Sequence, residues 1–323
     1  MEQFAYASPK TLKEALGMLG SDWNSSAVLA GGTDLLSLMK DYVMSPKLVV
    51  NLKGIKTLHG VKQHGTSVTI GALTTLDDLT SNPIIRSQFP SLIQAAMGVS
   101  SPQIRNMGTV GGDICQRPRC WYFRGGQGLF GMQNGKSLVV DGENRYHAIF
   151  GGGPAYFVSA SSFGPALMAL DATIMVAAPS GAVREVKAAD FFVAPKDANT
   201  REIALAPNEI VTEISIPTGT TNATYEVRHK EGLDWPLATA SVSLKMSGKT
   251  VTSANIVLGH VAPTPWATQA GQLLAGKTID AATAESIGDA AVRGATPLSQ
   301  NEYKVQLAKV AVKRALLTAA GLA

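Results

Sequence analysis

Two glycine clusters carry the strongest chemical signal in the sequence. The first, Gly31-Gly32-Thr33-Asp34, follows a short apolar run, Ala27-Val28-Leu29-Ala30, and precedes a helical segment, Leu35 to Tyr42. Glycine lets a backbone come close to a ligand, and amides at a turn and helix start favour an anion such as a pyrophosphate. Thr33 and Asp34 are suited to capping the helix or to bonding a ribose or phosphate. The same residues also serve in a purely structural strand-to-helix turn. The second cluster, Gly108-Thr109-Val110-Gly111-Gly112-Asp113, repeats this chemistry further along the chain. Two such loops suggest a clamp on one extended anionic cofactor. Neither fits G-x-G-x-x-G with a downstream acid, and no G-x-x-x-x-G-K-[ST] occurs, so Rossmann and Walker-type sites are disfavoured.

The remaining reactive side chains offer less. His59, His64, His147, His229 and His260 show no metal-ligand spacing, and no G-x-S-x-G serine is present. His147 is expected to bond backbone rather than to do acid–base work. Cys115 and Cys120 are too few for a disulfide scaffold. Trp121, Tyr122 and Phe123 either stack on a planar ligand or plug a loop into a core. Arg117, Arg119 and Arg124 pair with phosphate or a partner, or lie in a salt-bridged loop.

The elements that must position these groups follow from periodicity. Residues 9–20 place Leu12, Leu16 and Leu19 on one helical face. Residues 27–30 and 47–52 are strands, so the first part of the chain is a small parallel α/β unit. Residues 66–72 alternate as a strand, and Leu76 to Gln94 is helical with a break at Pro83. Residues 115–160, rich in Gly, Arg and aromatics, form a long functional loop. Strand-like runs are expected at 167–178 and 203–216, and residues 237–261 hold two strands around Ser247-Gly248-Lys249. The Ala-rich end is helical, with Leu307, Val310 and Leu317 on one face.

Composition bounds the reading. The chain has 323 residues, 45% hydrophobic and 16% charged, which suggests two or three domains and disfavours disorder. A net charge of +4 without a Lys/Arg block gives little support to nucleic-acid or membrane-surface binding. No secretion signal opens the sequence and no apolar stretch is long enough to span a bilayer. A soluble protein is expected, with the cytoplasm as default location and the periplasm open if a signal-bearing partner carries the chain.

LAGGTDLL at 29–36 and RNMGTVGGDI at 105–114 resemble the two FAD loops of the flavin subunit of the molybdenum hydroxylases. The resemblance continues through ALMALDA at 166–172, LAPNEIVTEISIP at 205–217 and LGHVAPTPWATQAGQLLAGK at 258–277. The long loop, with RCWYFR and NRYHAIFGG, looks most like the medium subunit of aldehyde oxidoreductases. The resemblance implies an α+β fold: a two-subdomain FAD-binding domain of vanillyl-alcohol-oxidase-like (PCMH) type at 1–220, divided at about 58/59. A carbon monoxide dehydrogenase flavoprotein-like α+β domain at 221–323 would follow. It implies FAD contacts at Val28, Leu29, Ala30, Gly31, Gly32, Thr33, Asp34 and Leu35, and at Thr109, Gly111, Gly112 and Asp113. Val211 takes the place of a leucine that touches the isoalloxazine, and Phe123 is counted among the cofactor contacts as a stacking residue.

The chain also departs from that pattern. Cys120 stands where relatives with a [4Fe–4S] cluster have the first of four cysteines, but the others are missing, so no such cluster is expected. Ser162 replaces an aspartate that helps to hold FAD. Glu226 falls nearest the position of a flavin-side lysine. Phe191-Phe192-Val193-Ala194-Pro195 lacks the Tyr and Arg of F-F-x-G-Y-R, which puts NAD as acceptor in doubt. The implied partners are a small subunit with [2Fe–2S] clusters and a large molybdopterin-binding subunit, with no nucleic acid and no membrane. The implied activity is flavin-mediated electron transfer in an aldehyde-oxidising enzyme. A stand-alone flavin oxidase and a flavin-free interaction subunit are the alternatives.

Overall fold

The computed structural model describes residues 1–99, 101–197, 200–230, 232 and 234–323. The chain begins with β1 (Ala5–Ala7), α1 (Leu12–Met18), β2 (Ser26–Leu29), α2 (Leu35–Lys40) and β3 (Leu48–Asn51). Helix α1 starts at a capping box in which the Thr11 hydroxyl accepts from the Glu14 amide and the Glu14 carboxylate accepts from the Thr11 amide. Strands β1 and β2 both pair in parallel with β3, in the order β1-β3-β2. This is the parallel α/β unit that the first residues encode.

Next come β4 (Val61–His64), β5 (Ser67–Gly71) and five short helices. These are α3 (Leu76–Ser81), α4 (Pro83–Gln88), α5 (Pro90–Gly98), α6 (Pro102–Met107) and α7 (Val110–Cys115). The single break expected at Pro83 becomes two, because Pro90 also opens a helix. Proline is tolerated at a first helical position, where its missing amide leaves no bond unmade. The 115–160 region holds only α8 (Trp121–Arg124) and the hairpin β6 (Met132–Gln133) and β7 (Lys136–Ser137). It is fixed by a small core of its own, in which Phe123 meets Leu38, Leu129, Ala155 and Phe157.

Residues 164–187 correct the strand expected at 167–178. The run divides into α9 (Gly164–Ala169) and β8 (Thr173–Ala177), with Asp171 in the left-handed region at the turn (φ 55°), and β9 (Val183–Lys187) follows. After α10 (Ala188–Phe191), only Ile210–Pro217 of the strand expected at 203–216 is regular; it is β10. Ile203 instead makes an isolated bridge with Phe192. The second sheet is antiparallel, ordered β4-β5-β10-β8-β9, and the largest core lies between it and the helices.

Thr218, Gly219 and Thr220 lead to β11 (Thr221–Val227), β12 (Ala238–Ser247), β13 (Thr250–Gly259) and β14 (Trp266–Ala267), one antiparallel sheet in that order. Helices α11 (Ala281–Ala291) and α12 (Tyr303–Ala319) cover it. The buried face of α12 is Lys304, Ala308, Ala311, Val312, Ala315 and Leu316, whereas Leu307, Val310 and Leu317 flank it half-buried. Alanines let the helices approach so closely that a Cβ on Gly288 would meet the Lys309 carbonyl at 2.8 Å. Among the described residues, no helix is long and apolar enough to cross a membrane.

Candidate functional site

The carboxyl ends of β2 and β3 open into a cleft holding about 1090 Å³ of empty space, its open mouth included. Its near wall is the first glycine loop: Val28, Ala30, Gly31, Gly32, Thr33, Asp34 and Leu35 all line it, while Leu29 turns away into a core with Met39 and Val49. The far wall is Thr109, Gly111 and Gly112 at the start of α7, Ala72 and Leu73 after β5, and Ile210 and Val211 at the start of β10. Arg117 and Arg201 line it as well. Both pair with Glu202, at 2.8 and 3.1 Å, and Arg201 also lies over the Trp23 ring.

The two glycine loops differ in what they leave unbonded. Among the described residues, nothing accepts a hydrogen bond from the amides of Gly31, Gly32 or Thr33. The second loop has spent most of its donors. The Val110 amide donates to the Thr74 carbonyl, the Gly111 amide to the Ala72 carbonyl, and the Gly112 amide to the Thr109 hydroxyl. The glycines themselves serve close packing. A Cβ on Gly31 would overlap the Met107 carbonyl, so the two loops lie back to back. A Cβ on Gly111 would stand 2.8 Å from the Ala72 carbonyl. Unmade amides lining a cleft make an anion-binding concavity; the first loop offers one.

The acids of both loops are already engaged. One Asp34 oxygen accepts from Arg124 Nη2 at 2.7 Å, and the other from the Arg117 amide at 2.9 Å; Arg119 lies 3.6 Å away. Asp34 therefore fastens the Arg-rich loop to the first glycine loop and leaves its helix without a side-chain cap. Asp113 is buried and lies outside the cleft lining. It accepts from the Ser161 hydroxyl, the Ser162 and Phe163 amides and Gln116 Nε2. Burial pushes its carboxyl up to about 6 against the pull of these donors. Ser162 is buried and its amide serves Asp113.

Phe123 and Glu226 are placed away from the cleft. The Phe123 ring plugs its loop into a core, with the Arg117 guanidinium 4.8 Å over it. Cys115 lines the cleft and burial pushes its thiol up to about 12, so it stays protonated. Among the described residues, no group of three or more His, Cys, Asp or Glu could hold a metal ion.

Glu226 sits in the seam where α5 packs on β11, its carboxylate so close to Gly98 that a Cβ there would overlap it. Both carboxylate oxygens are buried and bond to nothing among the described residues. Burial pushes the group up to about 8; Arg228 pulls the other way and Asp113 adds to the rise. A folded value above the ordinary 4.5 means that stability is full below pH 4.5 and is lost as the pH rises towards 8. Urea midpoints of the parent are therefore expected to fall between pH 5 and 8.5 while those of Glu226→Gln fall less. Equal falls would clear Glu226 of the effect.

A second cavity, with about 870 Å³ of empty space including its mouth, has no counterpart among the sequence-based expectations. Trp121, Tyr146, His147, Trp235 and His260 are among its walls, and so are Arg119 and Cys120. His147 Nε2 lies 3.2 Å from Cys120 Sγ, and the ring also has the expected backbone bond, to Asn144. The rings come from segments far apart in the chain, which hides the grouping.

Compared with known families, residues 2–219 match the FAD binding domain in molybdopterin dehydrogenase, and residues 223–319 match the CO dehydrogenase flavoprotein C-terminal domain. The carbon monoxide dehydrogenase medium chain of Hydrogenophaga pseudoflava is 31% identical over 322 residues, covering 97% of this chain and 96% of the relative. The aldehyde oxidoreductase FAD-binding subunit PaoB of Escherichia coli (strain K12) is 28% identical, with 96% of each covered. The glyceraldehyde dehydrogenase medium chain of Sulfolobus acidocaldarius is 30% identical, with 82% of this chain and 78% of the relative covered. Among solved structures, the carbon monoxide dehydrogenase of H. pseudoflava lacking the Mo-pyranopterin moiety aligns with a TM-score of 0.76 at 30% identity. That alignment covers 98% of this chain and 97% of the other.

Proposed function

Because the chain belongs to the family of FAD-binding domains of molybdopterin dehydrogenases, we propose that it is the electron-transfer subunit of a heterotrimeric aldehyde-oxidising molybdenum hydroxylase. The observation that carries the site is the first glycine loop, whose three amides line the cleft without acceptors. Amides of Gly31, Gly32 and Thr33 would receive the pyrophosphate of FAD, with Thr109 offering its hydroxyl from the opposite wall. Val28, Ala30 and Leu35 would pack along the cofactor, and Val211 would bound it beneath. Gly111 lets the second wall pack against Ala72. Asp34 and Asp113 act as braces for the two loops.

Bound flavin supplies the redox step between a metal-cluster donor and an external acceptor. The chain's own work is then to hold the ring, exclude water and set its electrostatic surroundings, for which no acid or base catalyst is required. Substrate would be oxidised at a molybdopterin centre in a large partner subunit, and electrons would arrive through [2Fe–2S] clusters of a small one. An aldehyde substrate is supported by the likeness to two aldehyde-enzyme subunits. The cytoplasm is the proposed compartment.

The direct test is an absorption spectrum of the purified chain with acid release of flavin and iron analysis. A two-banded flavin spectrum yielding one FAD per chain and negligible iron is expected. A colourless protein that FAD does not reconstitute would remove the electron-transfer role, and a brown one with about four irons would restore the cluster.

A further inference from the structure

Arg117 and Arg201 line the flavin cleft with donors to spare. Each gives its Nε to one oxygen of Glu202, at 2.8 and 3.1 Å, so that two guanidinium groups share a single carboxylate. Their Nη groups bond to nothing among the described residues. None of these atoms is sealed from water as Arg119 Nε is, and the two side chains are 14% and 12% exposed. Aromatic rings back both groups and hold them flat: Arg117 lies 4.8 Å over Phe123, and Arg201 4.0 Å over Trp23. The Arg117 amide donates to Asp34 at 2.9 Å, which sets the pair beside the loop of unmade amides.

The balance of charge says what the pair awaits. Asp34 is likewise shared, between Arg124 at 2.7 Å and Arg119 at 3.6 Å, so this wall holds more guanidinium groups than carboxylates. Burial, then the charge of Arg117, lowers the Arg201 guanidinium; the two like groups repel each other across Glu202. An anion between them relieves that repulsion. The amides of Gly31, Gly32 and Thr33 bring dipoles to a diphosphate but no net charge to match it. We propose that Arg117 and Arg201 clamp the diphosphate of FAD, so that charge as well as shape selects a flavin dinucleotide over the bare flavin. Forked N–H groups fit phosphate oxygens, which a single ammonium would meet only as a point charge. This assignment rests on the flavin reading, and it adds to the glycine loop the counter-charge that the loop lacks.

The flavin-free full chain is titrated with FAD and with riboflavin, read by flavin fluorescence, and with inorganic pyrophosphate, read by calorimetry. Arg117→Gln and Arg201→Gln should each weaken FAD and pyrophosphate roughly 10- to 100-fold, the worth of one hydrogen bond to a charged group. Riboflavin, which has no phosphate, should bind both variants as it binds the parent. A cleft that had merely been distorted would lose riboflavin as well, so equal losses of both flavins would overturn the proposal. So would FAD curves unchanged in both variants, and urea midpoints confirm that each folds. The parent alone gives a second reading should a variant not fold. Its FAD half-saturation point should rise several-fold between about 50 and 300 mM KCl as the charges are screened, and a flat response would overturn the clamp. A parent that takes no FAD, yet binds pyrophosphate in a way both variants lose, would remove the flavin reading and leave the arginines as a phosphate site. A parent that takes FAD with variants that match it would keep the flavin reading and remove the clamp.

Discussion

Replacing Gly31 with alanine is expected to yield a chain that purifies without flavin. The new methyl group has no room: it falls on the Met107 carbonyl and meets the Gly108 Cα at 3.0 Å. Backbone cannot swing aside as a side-chain end can, so the two glycine loops must part. Overpacking of this kind costs about 1–3 kcal/mol, equivalent to roughly 5- to 150-fold weaker binding when the strain falls on the bound state. Gly112→Ala is the control. Its Cβ meets only the Thr109 hydroxyl, at 2.9 Å, which can rotate away. The check is the FAD-to-protein ratio of both variants after gel filtration at equal protein concentration. A Gly31→Ala protein as yellow as Gly112→Ala would mean that the loops are free to separate and that the first one does not grip the cofactor.

Asp113→Ala is expected to give the largest loss of stability. It removes the shared acceptor of the Ser161 hydroxyl and the Ser162 and Phe163 amides in a place where water does not reach. Each buried donor left without an acceptor costs about 1–3 kcal/mol. The measurement is the urea midpoint, and a change within the range of ordinary surface substitutions, about 0.5 kcal/mol, would contradict the bracing role. The pH dependence has a definite sign. With the folded value at about 6 and the ordinary one at 3.8, this group's contribution is complete below pH 3.8 and declines as the pH rises through 6. The alanine variant should be less stable throughout and lack that part of the slope.

What the sequence discloses and what it hides divide along physical lines. Helix α1 and strands β2 and β3 are legible because their signals are local: a capping box, an apolar run, a turn. The residues LMALDATIMVA read as one strand because an apolar run interrupted only by Asp171 and Thr173 shows no helical period, and the turn at Asp171 leaves only a weak local mark. The glycine loops look alike as letters. Their difference arises because Ala72 and Thr74, from another segment, present carbonyls to the amides of the second loop, whereas among the described residues none accepts from the amides of the first. Ser162 reads as the loss of an aspartate, yet its amide serves Asp113, a carboxylate supplied by the second loop. The aromatic cavity draws on residues too far apart for any spacing rule.

Lys304 sets a timetable for the chain's own synthesis. Its buried ammonium holds the carbonyls of Tyr146, His147 and His260, while Asn301 holds those of His147 and Ala148 and Asn144 bonds Ser299 and Gln300. The loop leaves the ribosome 158 residues before Lys304 reaches Tyr146. At about 5–20 residues per second, that is a wait of roughly 8–30 s. During that interval the strands flanking the first glycine loop can pair, but the wall carrying His147 has no carbonyl clasp. The wall that carries the first glycine loop can therefore mature early, whereas the aromatic chamber beside it is finished only once Asn301 and Lys304 have been made.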